Sequence, residues 1–183
     1  MGTLFTVGHS TRTTGQLIEI LRGAGVGILI DVRRFPASRQ HPHFSKEALE
    51  ASMSEAGIDY EWWGEELGGR RSRKKTGSRH GAWRNASFQG YADYMDTSEF
   101  RTALERLEAL TNEKPPPAVM CAETLWWRCH RRLIADAVTM HGIEVVHLFG
   151  DDKQDPHRSN PSARRGEDGY PVYDVGVTEE LAF

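Results

Sequence analysis

A chain of 183 residues, 38% hydrophobic and 27% charged, has the length of one domain with a full core and the charge of an ordinary globular surface. No apolar run comes near the ~20 residues that cross a bilayer as a helix, which excludes such a span, and two cysteines exclude a disulfide-stapled scaffold. The formal net charge is only −3; with no basic-then-apolar signal segment at Met1–Gly8, the expected setting is the cytoplasm with reduced thiols.

Thr3–Val7 reads as the first strand, closed by Gly8-His9-Ser10. A helix follows with Thr13 or Thr14 as its cap and Leu17, Ile18 and Leu21 at helical spacing. Val26–Val32 is nearly all apolar, as a strand covered on both faces should be. Ser45 opens a second helix that ends near Gly57, and Ile58–Glu61 is a short third strand. Residues 64–88 lack a period and read as a long basic loop inserted in the domain, a length that is usually functional or disordered. Gly90–Met95 and Ser98–Leu110 have helical patterns. Pro115-Pro116-Pro117 stops them and introduces strand four, Ala118–Cys121. A helix is expected over Trp126–Met140, with Thr124 as its candidate cap and Gly142 beyond its end. Ile143–Phe149 is the fifth strand. Residues 1–150 thus form one domain, and 151–183 an irregular tail packed on or near it, with one extended piece at Pro171–Val175. Alternating strands and helices predict a three-layer, Rossmann-like α/β fold with a largely parallel sheet of about five strands.

In a parallel sheet all carboxyl ends share one edge, and ligands bind there. That edge receives His9 and Ser10 from strand one and Asp31, Arg33 and Arg34 from strand two. Tyr60, Trp62 and Trp63 come from strand three, Cys121 and Glu123 from strand four, and His147 from strand five. Each has a plainer reading. Asp31 also serves as a structural acid for loop amides or for Arg33, His9 as a helix cap, and Cys121 as a core thiol. Cys129 shares a helical face with Trp126, Leu133 and Ala137, so packing competes with chemistry there.

The chemical reading of the thiols is electrostatic. A cysteine near a helix N-terminus and several arginines has its thiolate favoured, and helix amides with Arg128, Arg131 or Arg132 make a phosphate seat. Six residues without glycine separate Cys121 from Arg128, which disfavours a phosphatase loop. Cys121, Cys129 and His130 with a further histidine are conceivable metal ligands, but no zinc spacing occurs, so a metal is not favoured and no cofactor is assigned.

Between residues 70 and 84 stand Arg70, Arg71, Arg73, Lys74, Lys75, Arg79 and Arg84 with no acid among them. Such a run is often solvated surface. Here it is bracketed by Trp62, Trp63 and Trp83, with Trp126 and Trp127 on a neighbouring loop. Cations interleaved with aromatic rings suit phosphates and stacked bases.

Taken together, Thr6-Val7-Gly8-His9-Ser10, Asp31-Val32-Arg33 with Pro36 and Ser38, Leu67-Gly68-Gly69, Phe88 with Tyr91 and Met95, and Cys121-Ala122-Glu123 with Cys129-His130-Arg131 resemble the domain-of-unknown-function 488 family. The resemblance runs from the first strand to roughly Phe149 and implies a compact α/β domain carrying both cysteine motifs, without a stated activity. Leu29–Arg33 is also similar to the opening of a rhodanese domain, but the glycine-rich active loop of a rhodanese is missing after Cys121.

Three functions are expected. The first is an enzyme acting on a nucleic-acid base or nucleotide by repair-type hydrolysis. His9, Asp31, Cys121 and Glu123 would carry its chemistry, and Ser10, Arg33, Tyr60, Arg70, Arg71, Trp126, Trp127, Cys129, His130 and Arg131 would bind its substrate. The second is a thiol enzyme of sulfur or redox transfer with Cys121 as nucleophile. The third is a non-catalytic nucleic-acid-binding module. The expected partner is nucleic acid or nucleotide, with no membrane; the pattern does not define an oligomeric state.

Overall fold

The computed structural model describes residues 2–37, 39–150 and 153–176. Ser38, Asp151, Asp152 and the tail from residue 177 lie outside them. Five strands run parallel: β1 (Thr3–Gly8), β2 (Ile28–Asp31), β3 (Asp59–Trp62), β4 (Pro117–Cys121) and β5 (Glu144–Gly150). A sixth, β6 (Lys153–Pro156), returns antiparallel along β5, and the order is β3-β2-β4-β1-β5-β6. The expected three-layer α/β architecture is therefore present, with one strand more than expected.

Side-chain alternation assigns each strand residue to one of two cores. Ala118 and Met120 of β4 join Val7, Leu17, Leu21, Leu49 and Met53 beneath α1 (Thr14–Gly23) and α2 (Lys46–Ala56). Val119 and Cys121 face the opposite core, with Leu104, Leu133 and Ile134 of α4 (Ser98–Leu110) and α5 (Arg131–Met140) and Tyr91 of α3 (Ala86–Met95). The helix ends follow their sequence signals. Thr13 and Gln16 form a capping box before α1, Ser45 caps α2, and Gly57 closes α2 with a left-handed φ of 73°.

Four elements differ from expectation, the first being α3, which starts behind an Asn85 cap at Ala86 rather than at Gly90 and so shortens the basic loop. β2 is confined to Ile28–Asp31, because the Val26 amide is spent on the carbonyl of Leu21 at the end of α1. The helix expected over Trp126–Met140 is two pieces, a single 3-10 turn at Trp126–Arg128 and then α5 from Arg131. Thr124 caps neither piece: the residue before the turn is Leu125 and the one before α5 is His130. Among its described residues the tail carries the expected extended piece within Pro171–Val175 and is otherwise more regular than expected. Besides β6 it forms a hairpin of β7 (Ala163–Arg165) and β8 (Pro171–Tyr173), which places Tyr170 and Tyr173 in the core beneath α3, α4 and α5.

The basic loop has no helix or long strand but is folded back on acids. The Lys74 amide and the Ser78 hydroxyl donate to Asp93, Arg79 pairs with Asp96 and Asp168, and His80 lies 3.2 Å from Asp96. Of its seven cations, Arg79 and, at 3.7 Å from Asp96, Lys74 are thus paired with acids.

Candidate functional site

The break before α5 builds the site. Cys121 ends β4 facing α5. After the Trp126–Arg128 turn, Cys129 takes an extended backbone (φ −124°, ψ 150°) before His130 enters the helix. This excursion carries the second thiol and the imidazole back over the first. His130 Nδ1 lies 3.6 Å from Cys129 Sγ and 4.0 Å from Cys121 Sγ. Two neighbours aim that ring. Tyr91, its hydroxyl fixed on the Leu67 carbonyl at 2.7 Å, packs against it at 5.0 Å between centroids. Gly69 leaves it room, since a Cβ there would sit 2.9 Å from Nδ1. Gly8 has a similar reason: any side chain would overlap the Glu123 carbonyl.

Arg131 decides the electrostatics. It is 1% exposed, and buried charges are ordinarily paired. Among the described residues it meets no carboxylate. Nε donates to Cys129 Sγ at 3.4 Å, Nη1 to Thr6 Oγ1 at 3.4 Å, and Nη2 to the carbonyls of Glu123 and Thr124. The Cys129 sulfur is the group of highest anionic character that this guanidinium touches. Burial opposes its thiolate, but the Cys121 thiol, His130 and Arg131 outweigh it and hold Cys129 well below the usual thiol range. Its partner moves the other way: the interaction with Cys129, and then burial, push Cys121 well up. Of the two sulfurs, Cys129 is the one whose thiolate the surroundings favour, and Cys121 the one whose proton they hold.

A run of buried hydrogen bonds continues from Arg131. Thr6 Oγ1 accepts from Arg131 and lies 2.6 Å from His147 Nδ1; His147 Nε2 meets His157 Nδ1 at 3.0 Å, and His157 Nε2 meets Asp136 Oδ1 at 2.9 Å. Since Asp136 accepts, His157 carries its proton on Nε2, His147 donates from its own Nε2, and Thr6 donates to His147. The Tyr173 hydroxyl and the Asn160 amide complete Asp136. His147 is therefore not at the functional edge. It sits mid-strand opposite Thr6, stacked under Trp126 at 4.2 Å. Trp126, 6% exposed and donating to Asp155, is a core cover.

A cleft of about 790 Å³ opens above the thiols. Its wall holds Arg33, Arg34, Arg70, Arg128 and Arg132, the rings of Phe35, Trp83, Phe88 and Trp127, and the functional groups of Cys121, Glu123, Cys129 and His130. Arg33 is built in rather than merely near. Its Nε and Nη2 bind the two oxygens of Asp31 at 2.9 and 2.6 Å, and Nη1 donates to His9 Nε2 at 3.3 Å. His9 Nδ1 faces the Ser10 carbonyl at 2.9 Å, so the ring is neutral with its proton on Nδ1. Burial, with Arg33 beside it, lowers the His9 pKa to about 4. Tyr60 donates to Asp31 at 2.7 Å, and burial next to that carboxylate pushes its own hydroxyl pKa up.

His9 and Asp31 thus hold Arg33, with Tyr60 bound to Asp31 and the Ser10 carbonyl orienting His9, while Cys121, Glu123, Cys129, His130, Trp127 and Arg70 share the cleft. Arg71 is elsewhere, bound to the carbonyls of Gly68 and Glu65 and laid 3.7 Å over Tyr94. Phe35, 63% exposed with Arg70 5.7 Å from its ring, is a lip residue that the sequence reading missed. Its only signal is an apolar ring between two arginines and a proline.

Sγ of both cysteines and a nitrogen of His130 lie within 4.8 Å of one another, the one such trio among the described residues. Three of the four ligands of a zinc site are thereby present. A dication there would share Cys129 Sγ with the Arg131 N–H, lie in a cleft walled by Arg33 and other arginines, and find no fourth ligand grouped with the trio among the described residues. The donor set suits thiolate chemistry.

Fold and site together define a Rossmann-like α/β domain with a buried dithiol at the carboxyl edge of its sheet. The family model described as domain of unknown function DUF488 matches residues 13–138, and the chain belongs to that family. The match includes both cysteine motifs and leaves out β1, β5 and the tail strands. No curated protein and no solved structure matches the chain.

Proposed function

We propose that this chain is a thiol-dependent enzyme acting on an anionic substrate. The observation that carries the reading is a buried Arg131 that, among the described residues, meets no carboxylate and donates to the Cys129 sulfur, at the base of an arginine-walled cleft. Cys129 replaces Cys121 as the nucleophile, because the guanidinium contacts Cys129. Arg33 binds substrate anion from a guanidinium already fixed on its far side, so little ordering is lost on binding. His130, near both sulfurs, carries protons.

The test is the pH dependence of alkylation at each cysteine, read by peptide mass. Wild-type Cys129 is expected to react at pH 6, and Arg131→Gln to slow it about tenfold or more. Equal rates in the two proteins would remove the reading.

A nucleotide or nucleic-acid base remains the second reading of the substrate. It is supported by Phe35 and Trp127 standing among the cleft arginines. His9 and Asp31 contribute to it through Arg33 rather than as acid and base. Failure of labelled nucleotides and single-stranded DNA to bind at low salt would remove it.

A further inference from the structure

Cys121 has more to offer than a hydrogen bond. Resting on the thiol reading, we infer that Cys121 is the resolving thiol of a two-cysteine cycle that reduces small anionic disulfides. Three observations carry this. The two sulfurs face one another across less than 4.8 Å, and a bond between them needs only an approach to about 2.05 Å. Cys129 stands between the 3-10 turn and α5 with extended dihedrals, so it moves toward Cys121 without unwinding a helix. His130 Nδ1, 4.0 and 3.6 Å from the sulfurs, reaches the proton of one and the leaving group at the other.

The chemistry balances in two displacements. The Cys129 thiolate attacks one sulfur of the substrate disulfide; a Cys129–substrate disulfide forms, and the other half leaves with the proton that His130 had directed at Cys129 Sγ, which frees Nδ1. Cys121 then gives its proton to His130 and attacks Cys129 Sγ. The Cys121–Cys129 bond forms, the second half leaves, and His130 passes the proton to it. The protein dithiol loses two electrons, the substrate gains them, and an external dithiol restores the protein. Arg33, Arg70 and Arg128 supply the preference for anionic groups, and Phe35 and Trp127 tolerate rings.

The experiment adds one equivalent of dithiobis(nitrobenzoate), a ring-bearing dianionic disulfide, to the wild type and to C121S, C121A and C129S. The wild type is expected to release two nitrothiolates per reagent, keep no adduct and become lighter by about 2 Da. C121S and C121A are expected to release one and retain the other half on Cys129, and C129S to react much more slowly. A wild type that keeps the adduct on Cys129 without closing a disulfide would overturn the resolving role and leave the thiol reading intact. A wild type that does not react, a C129S that reacts equally fast, or thiols silenced by stoichiometric zinc until it is chelated would overturn both. The wild-type mass decides the matter even if a variant misfolds.

Discussion

At Arg33 a guanidinium is fixed before any ligand arrives. Asp31 takes two of its nitrogens and His9 a third. Lysine cannot reproduce that fork, so Arg33→Lys is expected to weaken binding of an anionic disulfide about tenfold, measured as a rise in the concentration for half-maximal reaction, with the limiting rate little changed. The pair was legible from Asp31-Val32-Arg33 alone, since two residues after a strand end reach one another. The direction of the dependency was not. Sequence reading gave His9 and Asp31 the chemistry, and the structure sets them to hold the arginine. The thiols show the same division. Both motifs stand out in the chain, but which sulfur is charged depends on Arg131 turning inward, and no spacing rule reports that.

The element that matters most is the interrupted segment at 126–140. Trp126, Leu133 and Ala137 share a helical face, and no proline or glycine marks the break, so its pattern reads as one helix. The interruption follows from long-range contacts: Trp126 stacks on His147, and Arg131 is drawn onto the Glu123 and Thr124 carbonyls. The starts of α1, α2 and α4, behind Thr or Ser caps, were legible to within a residue or two, whereas α3 starts four residues ahead of the expected Gly90 behind Asn85. Gly69→Ala tests the geometry. Its Cβ would press on His130, and the expected result is slower closure of the Cys121–Cys129 bond with thermal stability changed by less than about 1 kcal/mol, read by reaction rate beside a urea titration. Tyr173→Phe tests the tail. It removes a 2.8 Å bond to buried Asp136 and is expected to cost about 1–2 kcal/mol by the same titration.

For the whole molecule, the tail strands are part of the core rather than an appendage. Tyr170, Val172 and Tyr173 are nearly or fully buried, and His157 and Asn160 complete Asp136. Only β8 was legible, as the extended piece at Pro171–Val175; β6 and β7 are three or four residues long and too polar to show an alternation. A chain ending at Gly150 is expected to lose cooperative unfolding, checked by circular dichroism against urea. Acid has a second global effect. His9 and His147 are held neutral, with pKa values of about 4 and about 2 against an ordinary 6.5. The unfolded chain therefore takes up protons that the folded chain refuses, so their contribution is complete above pH 6.5 and declines as pH falls toward 4. By pH 4 each accounts for a loss on the order of 3 kcal/mol. His9→Gln, whose amide can still donate to Ser10 and accept from Arg33, is expected to flatten that decline in urea midpoints measured from pH 7 to pH 4.

The hydrogen-bonded run from Arg131 through Thr6, His147 and His157 to Asp136 has a consequence for how the protein is made. A nascent polypeptide that has left the ribosome only as far as Gly150 already carries both sulfurs, but lacks His157, Asn160 and Tyr173, which anchor the far end of that run. On the thiol reading, a chain stalled at that length is expected to react with an alkylating agent at pH 6 no faster than free cysteine, and the released full-length chain to react faster.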